Sequence, residues 1–240
     1  MTPAPIHVSG ERLMLDPAGL LAWPAQRLLA VADLHLEKGS AFAARGAGLL
    51  PPYDTRETLQ RLHLALRRWR PERLVALGDS FHDRHGATRL PAEDAALLRR
   101  MLEGVGSVVW ILGNHDPEPP AGLPGEVAPD AWRCGPLAFR HQALPGAPPP
   151  AGTVEVSGHF HPKATMPTRC GGVSRPCFVA DGRRVILPSF GAYTGGLDVT
   201  DPAIATLFPR GGRAFLLGRD RVYAMPVAPR RGAGIPARAG

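Results

Sequence analysis

The chain has 240 residues, 28 Lys and Arg against 21 Asp and Glu, a formal net charge of +7 and an apolar fraction of 44%. That length suits one large domain or two small ones, with a core that needs no disulfide or metal staple; the composition excludes wholesale disorder, and no apolar run reaches the ~18–20 residues of a membrane span. The N-terminal MTPAPIHVSGERLML lacks a basic stretch followed by an apolar one, so no signal peptide is expected, and the cysteines Cys134, Cys170 and Cys177 are too few for a disulfide framework, which points to a reducing, cytoplasmic setting.

The charge is unevenly placed. Residues 209–240 carry seven arginines and one acid, so the body is close to neutral. Only Lys38 and Lys163 are lysines, and Gly and Pro number 28 and 27. This is the mark of a coding bias, so the arginine excess alone does not signal nucleic acid. A solvated tail and an electrostatic handle for a polyanion both remain open for the C-terminal arginines.

In chain order, Arg27–Asp33 reads as a strand. Asp54–Trp69 reads as a helix, with Asp54 and Glu57 as a capping box and Leu59, Leu62, Leu66 and Trp69 at helical spacing. Arg73–Asp79 is a second strand, Ala92–Val105 a second helix and Ser107–Gly113 a third strand. This β-α-β-α-β order favours a parallel sheet. After residue 125 the runs are short, β-like and separated by Gly and Pro: Leu137–Arg140, Thr153–Ser157, Pro176–Ala180, Arg184–Leu187, Ile204–Phe208, Arg213–Leu217 and Arg221–Met225. They predict a mostly antiparallel sheet, so the fold class is α/β grading into α+β. Leu144–Gly152 is expected to be a loop. One domain over residues 1–225 is expected, with 226–240 a basic, unstructured tail.

Polar residues gather where the apolar strands end. The ends read Asp33-Leu34-His35, Gly78-Asp79-Ser80-Phe81-His82, Gly113-Asn114-His115-Asp116, His141 and Gly158-His159-Phe160-His161, and they take six of the nine histidines. Strand carboxyl ends are where open α/β sheets build ligand sites. Histidine, carboxylate and one amide, without thiolate, suit Mn²⁺, Fe, Ni²⁺ or Zn²⁺ held for chemistry. Seven such ligands exceed the needs of one ion, and a carboxylate can bridge two. The glycines before Asp79, Asn114 and His159 are expected to permit sharp turns. A site drawn from both halves of the chain would make them one domain.

In that order, DxH, GD, GNHD, a lone His and GHxH resemble the motif series of the calcineurin-like metallophosphoesterases, over roughly residues 27–165. The resemblance implies a four-layer fold, two facing mixed β-sheets flanked by helices, with a dinuclear centre of divalent metal ions, Mn²⁺ foremost. It implies Asp33, His35 and His161 as ligands of one ion, Asp79 as the bridging carboxylate, and Asn114, His141 and His159 as ligands of the other. It implies His115 as a catalytic, non-ligand histidine oriented by Asp116. His82, three residues after the bridging aspartate, is similar to a histidine of the superfamily's nuclease branch that assists phosphodiester cleavage.

A narrower likeness covers nearly the whole chain. ADLHLEKGSAFAARG, LPPYDT, LGDSFHD, GNHDP, RPCF and LPSFGAYTGGLDV are similar to the bacterial ligase-associated DNA-damage-response endonucleases. This implies a phosphodiesterase acting on nucleic acid in DNA repair, with an ATP-dependent DNA ligase, an exonuclease and a helicase as partners. Two other readings stay open: a small-molecule phosphoesterase acting on cyclic nucleotides or nucleotide-derived diesters, and a scaffold subunit of a repair complex. Glu37 and Lys38 read equally as substrate contacts or as a solvated loop pair, and Phe190–Gly196 reads equally as a site cover or a hairpin turn.

Overall fold

The computed structural model describes residues 1–47, 51, 53–118, 122–146, 149–169 and 171–229. The first half runs β1 (Ala4–Val8), β2 (Glu11–Asp16), β3 (Leu20–Trp23), β4 (Leu28–Val31), α1 (Lys38–Ala44), α2 (Asp54–Trp69), β5 (Arg73–Leu77), α3 (Gly86–Arg89), α4 (Ala92–Glu103), β6 (Ser107–Ile111) and β7 (Glu126–Ala128). The second half runs β8 (Ala131–Cys134), β9 (Leu137–Arg140), β10 (Val154–Ser157), β11 (Lys163–Thr168), β12 (Gly171–Ala180), β13 (Arg184–Ile186), α5 (Pro202–Ala205), β14 (Gly212–Leu217) and β15 (Val222–Val227).

Two mixed sheets result. The first has the order β1-β2-β3-β4-β5-β6-β7, antiparallel from β1 to β4 and parallel from β4 to β7. The second has the order β15-β14-β12-β13-β10-β9-β8, with β11 paired to β12; β13-β10 and β10-β9 are its parallel pairs. The β1–β3 meander is an addition to the sequence expectation. Its first turn is Ser9-Gly10, with φ of 47° and 82°, values that a two-residue hairpin turn demands.

Alternation along the strands sorts the core. Leu28 and Ala30 of β4 face the second sheet, packing with Phe139, Val156, Phe178 and Val185. Leu29 and Val31 face the other way, onto Leu59, Leu62 and Leu66 of α2 and Leu98 and Leu102 of α4. Strands covered on both faces read as unbroken apolar runs, which is why RLLAVAD, RLVALGD and SVVWILG stood out. The outer face of the second sheet has a thinner cover, mainly α5 with Leu207 and Phe208. No helix among the described residues is long and apolar enough to cross a membrane.

Three local expectations need correction. Helix α2 starts where expected, but its N-cap is Tyr53 and no side chain caps it; the Asp54 carboxylate instead accepts the Gly39 N–H at 3.0 Å. Ile204–Phe208 is not a strand. Asp201 accepts the Ala203 N–H at 2.8 Å and Pro202 sits at the first helical position, so a cap and a proline start α5 despite the apolar run. Strand β15 continues to Val227, two residues into the expected tail, because Gly212 and Arg213 give it partners. Residues 230–240 and Cys170 lie outside the described residues. Cys177 is buried in the second sheet, where burial pushes its thiol up to about 12, and Cys134 is half-buried at the end of β8, so no site joins them.

The fold makes a paired prediction on one helix. Leu62 is 1% exposed and Leu64 is 64% exposed. Leu62→Ala should cost about 2–5 kcal/mol in chemical denaturation. Leu64→Ala should stay within about 0.5 kcal/mol of wild type.

Candidate metal centre

The site sits where β4, β5, β6, β9 and β10 end, so both sheets deliver residues to one place. Backbone pairing continues past the strand ends. The His35 N–H donates to Asp79 O at 2.9 Å, the Leu36 N–H to Ser80 O at 3.0 Å and the His82 N–H to Leu36 O at 2.9 Å. The loops after β4 and β5 are thus zipped together. Asp33, His35, Asp79, His159 and His161 all have φ between 44° and 71°. Left-handed backbone at non-glycine residues costs about 1–3 kcal/mol each, and a cluster of it marks a site the fold over-determines.

The glycines do two different things. Gly78 makes the expected turn, with φ of 78°. Gly113 and Gly158 instead give close approach. A Cβ at Gly113 would overlap Asp79 Oδ1 and the Asp79 backbone nitrogen, and one at Gly158 would lie 2.6 Å from Asp33 Oδ2.

The seven residues expected as ligands come together as two groups. In one, His35 Nε2 lies 3.3 Å from His161 Nε2, and His161 Nε2 lies 3.5 Å from Asp33 Oδ1. In the other, His141 Nε2 lies 2.9 Å from Asn114 Oδ1 and 3.0 Å from His159 Nδ1. Asp79 Oδ2 touches both, 3.5 Å from His141 Nε2 and 3.9 Å from His35 Nε2.

These distances test the set as a cation site. His141 Nδ1 lies 2.9 Å from Leu77 O, so that nitrogen carries the ring proton and Nε2 presents a lone pair. Around this lone pair stand an amide oxygen and a carboxylate oxygen, which bring no protons. Lone pairs gathered this closely repel unless a cation lies among them, so the residues fit divalent metal ions. Burial, then the neighbouring His161, His115, His82 and Lys38, lower His35 to about 2. Burial and His141 also lower His159. Both imidazoles are therefore neutral at pH 7, the form that ligates.

A second cluster flanks the first. The rings of His82 and His115 stack with centroids 5.3 Å apart, and both stand within 5.4 Å of the His35 ring. His115 Nδ1 lies 2.9 Å from His82 O and so donates to it, leaving Nε2 available; the His115 N–H donates to Asp79 Oδ1 at 2.9 Å. Asp116 does not orient His115, contrary to expectation. Its Oδ2 accepts the Ser80 and Phe81 N–H groups at 2.7 and 3.1 Å, and its Oδ1 accepts the Gly113 N–H at 3.2 Å. The carboxylate is spent on fastening the GNHD turn to the GDSF turn, and a carbonyl orients the imidazole in its place. Burial pushes Asp116 up to about 6 despite these donors. Burial, then Lys38, His115 and Arg45, lower His82 to about 4, and its Nδ1 is buried without a hydrogen-bond partner among the described residues.

Several contacts escape sequence reading. Glu37 is buried, with its N–H donating to Thr55 Oγ1 at 2.8 Å and its carboxylate accepting the Thr55 hydroxyl at 2.9 Å, so it is no solvated loop residue. Lys38 Nζ donates to Tyr193 O at 2.8 Å. The Phe190–Gly196 stretch is neither a free cover nor a hairpin. Its Phe190 and Gly191 N–H groups donate to Ala32 O and Asp33 O, and Gly191 and Gly196 press on the Leu34 and His161 carbonyls so closely that a Cβ would overlap them. The density of glycine was the readable signal for this close approach. His7 lies on edge strand β1 and His63 on the exposed face of α2, both apart from the site.

The family profile described as calcineurin-like phosphoesterase matches residues 26–175. The chain belongs to the calcineurin-like phosphoesterases. It is accordingly a metal-dependent hydrolase acting on phosphate esters. Its structure is similar to the crystal structure of the nuclease MPE of Pseudomonas putida, with a TM-score of 0.72 and 30% sequence identity over 93% of this chain and 100% of that one. No curated protein matches the chain.

The close approach at Gly113 yields a prediction. Gly113→Ala must displace the Asp79 carboxylate, so the purified variant should keep its far-UV circular dichroism spectrum yet lose at least one bound metal by elemental analysis. Wild-type metal content in a folded variant would show that Asp79 does not need its present position.

Proposed function

We propose that this phosphoesterase is a dinuclear phosphodiesterase that cleaves nucleic acid. The observation that carries the reading is the placement of Asp79 Oδ2 within 4 Å of imidazole nitrogens from both donor groups, beside two further histidines. Asp33, His35 and His161 would hold one ion, Asn114, His141 and His159 the other, and Asp79 both. Mn²⁺ is the proposed ion, with Fe, Ni²⁺ and Zn²⁺ compatible with the same donors. When bound, such a pair supplies Lewis acidity toward phosphoryl oxygens and lowers the pKa of water.

The chain's own residues do the rest. His115, held through Nδ1, presents Nε2 to the phosphoryl group or to the leaving oxygen. With Nδ1–H committed to the His82 carbonyl, Nε2 donates there only when the ring is doubly protonated; as the imidazolium, His115 is a donor fixed before substrate arrives, which stabilises developing charge without reorganising. His82 is neutral in the free protein, so it can protonate a leaving oxygen only once an anionic phosphate has raised its proton affinity. Asp116 keeps the turns that carry Asp79 and His115 in register, so its contribution to rate is positional.

Nucleic acid as substrate is supported by the 30% identity to a protein described as a nuclease and by His82 in the GDSFH block. A role in DNA repair beside an ATP-dependent ligase, an exonuclease and a helicase is supported by the six stretches that resemble the ligase-associated endonucleases.

The test compares a chromogenic phosphodiester with the corresponding monoester, each with Mn²⁺ and with EDTA. Wild type should turn over the diester preferentially and only with metal. Asp79→Asn should lose metal and activity together. His115→Ala should keep both ions and lose about 10²–10⁴-fold in kcat. Full turnover by Asp79→Asn with two ions bound would contradict the shared-ligand assignment, and preference for the monoester would point to a phosphatase.

A further inference from the structure

A groove of about 510 Å³ opens beside His115, between the end of α1 and the loop that leads into α3. Three arginines line it: Arg45, Arg84 and Arg89. Asp83 is the one carboxylate in its wall. Asp83 is already engaged. Its Oδ1 accepts Arg89 at 2.9 Å and the His85 N–H at 2.9 Å, and Arg89 also donates to Ser40 Oγ at 3.0 Å. Arg45 reaches Asp83 Oδ2 only at 3.4 Å, with a side chain 61% exposed. Arg84 is exposed and has no hydrogen bond or ion pair among the described residues.

The groove therefore has a built part and an open part. Arg89 is a wall, fixed by Asp83 and Ser40. Arg45 and Arg84 carry positive charge that one shared carboxylate does not balance. The body of the chain is near neutral, so Arg84, unpaired among the described residues, and Arg45, held only by a long pair with an Asp83 already bound to Arg89, are a local excess of positive charge in a concave surface beside His115. Guanidinium is the side chain best matched to phosphate, because its fork of N–H donors can take two oxygens at once. The reaction already proposed breaks an ester bond at one phosphate, and the metal-facing donors and His115 attend to that one.

We propose that Arg45 and Arg84 form a second phosphate subsite, which holds a phosphate flanking the scissile one on a polynucleotide strand. The proposal rests on the phosphodiesterase reading and adds a substrate class to it: chains with at least two backbone phosphates are favoured over single-phosphate diesters. Arg45 and Arg84 are binding residues here, and they act on KM more than on kcat.

The test uses the full chain and two kinds of measurement. The first is steady-state cleavage, with Mn²⁺, of bis(p-nitrophenyl) phosphate, which has one phosphate, and of single-stranded (dT)12. The second is fluorescence anisotropy of labelled (dT)12 with the metal-stripped protein in EDTA, because the arginines belong to the chain and not to the metals. Arg45→Ala and Arg84→Ala should each raise KM and Kd for (dT)12 by roughly tenfold or more. Each should reduce the slope of log Kd against log salt by about 1. Both should leave kcat/KM for the one-phosphate diester within about twofold, and Arg84→Lys should recover part of the loss. If wild type binds and cleaves (dT)12 and neither variant changes KM, Kd or the salt slope, the subsite is overturned while the phosphodiesterase reading stands. Equal losses on both substrates overturn it too, by placing the arginines in general structure or chemistry. If wild type cleaves the small diester but neither binds nor cleaves (dT)12, the polynucleotide reading fails and the subsite falls with it.

Discussion

Electron-pair donors do not crowd together willingly, and the molecule is organised around a place where they do. Asp79 and His141 bring a carboxylate oxygen and a bare imidazole nitrogen within 3.5 Å, with the Asn114 amide oxygen closer still, at 2.9 Å, to the same nitrogen. In a protein without a cation this arrangement is repulsive, and buried charge of this kind costs several kcal/mol unless it is compensated. The scaffold holds it against that cost. Five of the seven proposed ligands sit on left-handed backbone. Two glycines lack the Cβ atoms that would overlap the Asp79 and Asp33 carboxylates. Stability has been spent on geometry, as is usual where a site must exist before its ligand arrives.

That geometry depends on the two sheets meeting. The first sheet supplies Asp33, His35, Asp79 and Asn114, and the second supplies His141, His159 and His161. The shared core, in which Leu28 and Ala30 pack with Phe139, Val156 and Phe178, fixes the distance between the two groups. Around the site the loops are tied to one another more than to solvent. The Asp116 carboxylate joins two turns through three backbone N–H groups. The Phe190–Gly196 stretch lies against the backbone of both the DxH and HxH loops. A loop fastened in this way positions ligands.

The sequence made the centre legible and left its surroundings obscure, for a physical reason in each case. Strand ends marked by Asp33, Asp79, Asn114, His141 and His159 could be read because apolar runs with both faces covered stop abruptly at polar residues. Strands β5, β6, β9 and β10 were placed within two residues at each end for the same reason. The meander β1–β3 was not seen, although Ser9-Gly10 was available as a turn signal. Ile204–Phe208 misled because its apolar content outweighed Asp201-Pro202, a capping pair that starts a helix. Asp116 was given to His115 on the strength of the family resemblance. Three-dimensional packing gave it to backbone donors instead and gave His115 to a carbonyl. Arg45, Arg84 and Arg89 could not be recognised as one surface, since only the packing of α1 beside α3 unites them.

The claim on which everything else rests is that Asp79 joins two cations into one centre. Titration of the metal-stripped protein with Mn²⁺, followed by electron paramagnetic resonance, tests it directly. Two ions bound per chain, with the exchange-coupled spectrum of a bridged pair, is the result this account predicts. One ion per chain, or two with the uncoupled six-line spectrum of isolated Mn²⁺, would contradict it.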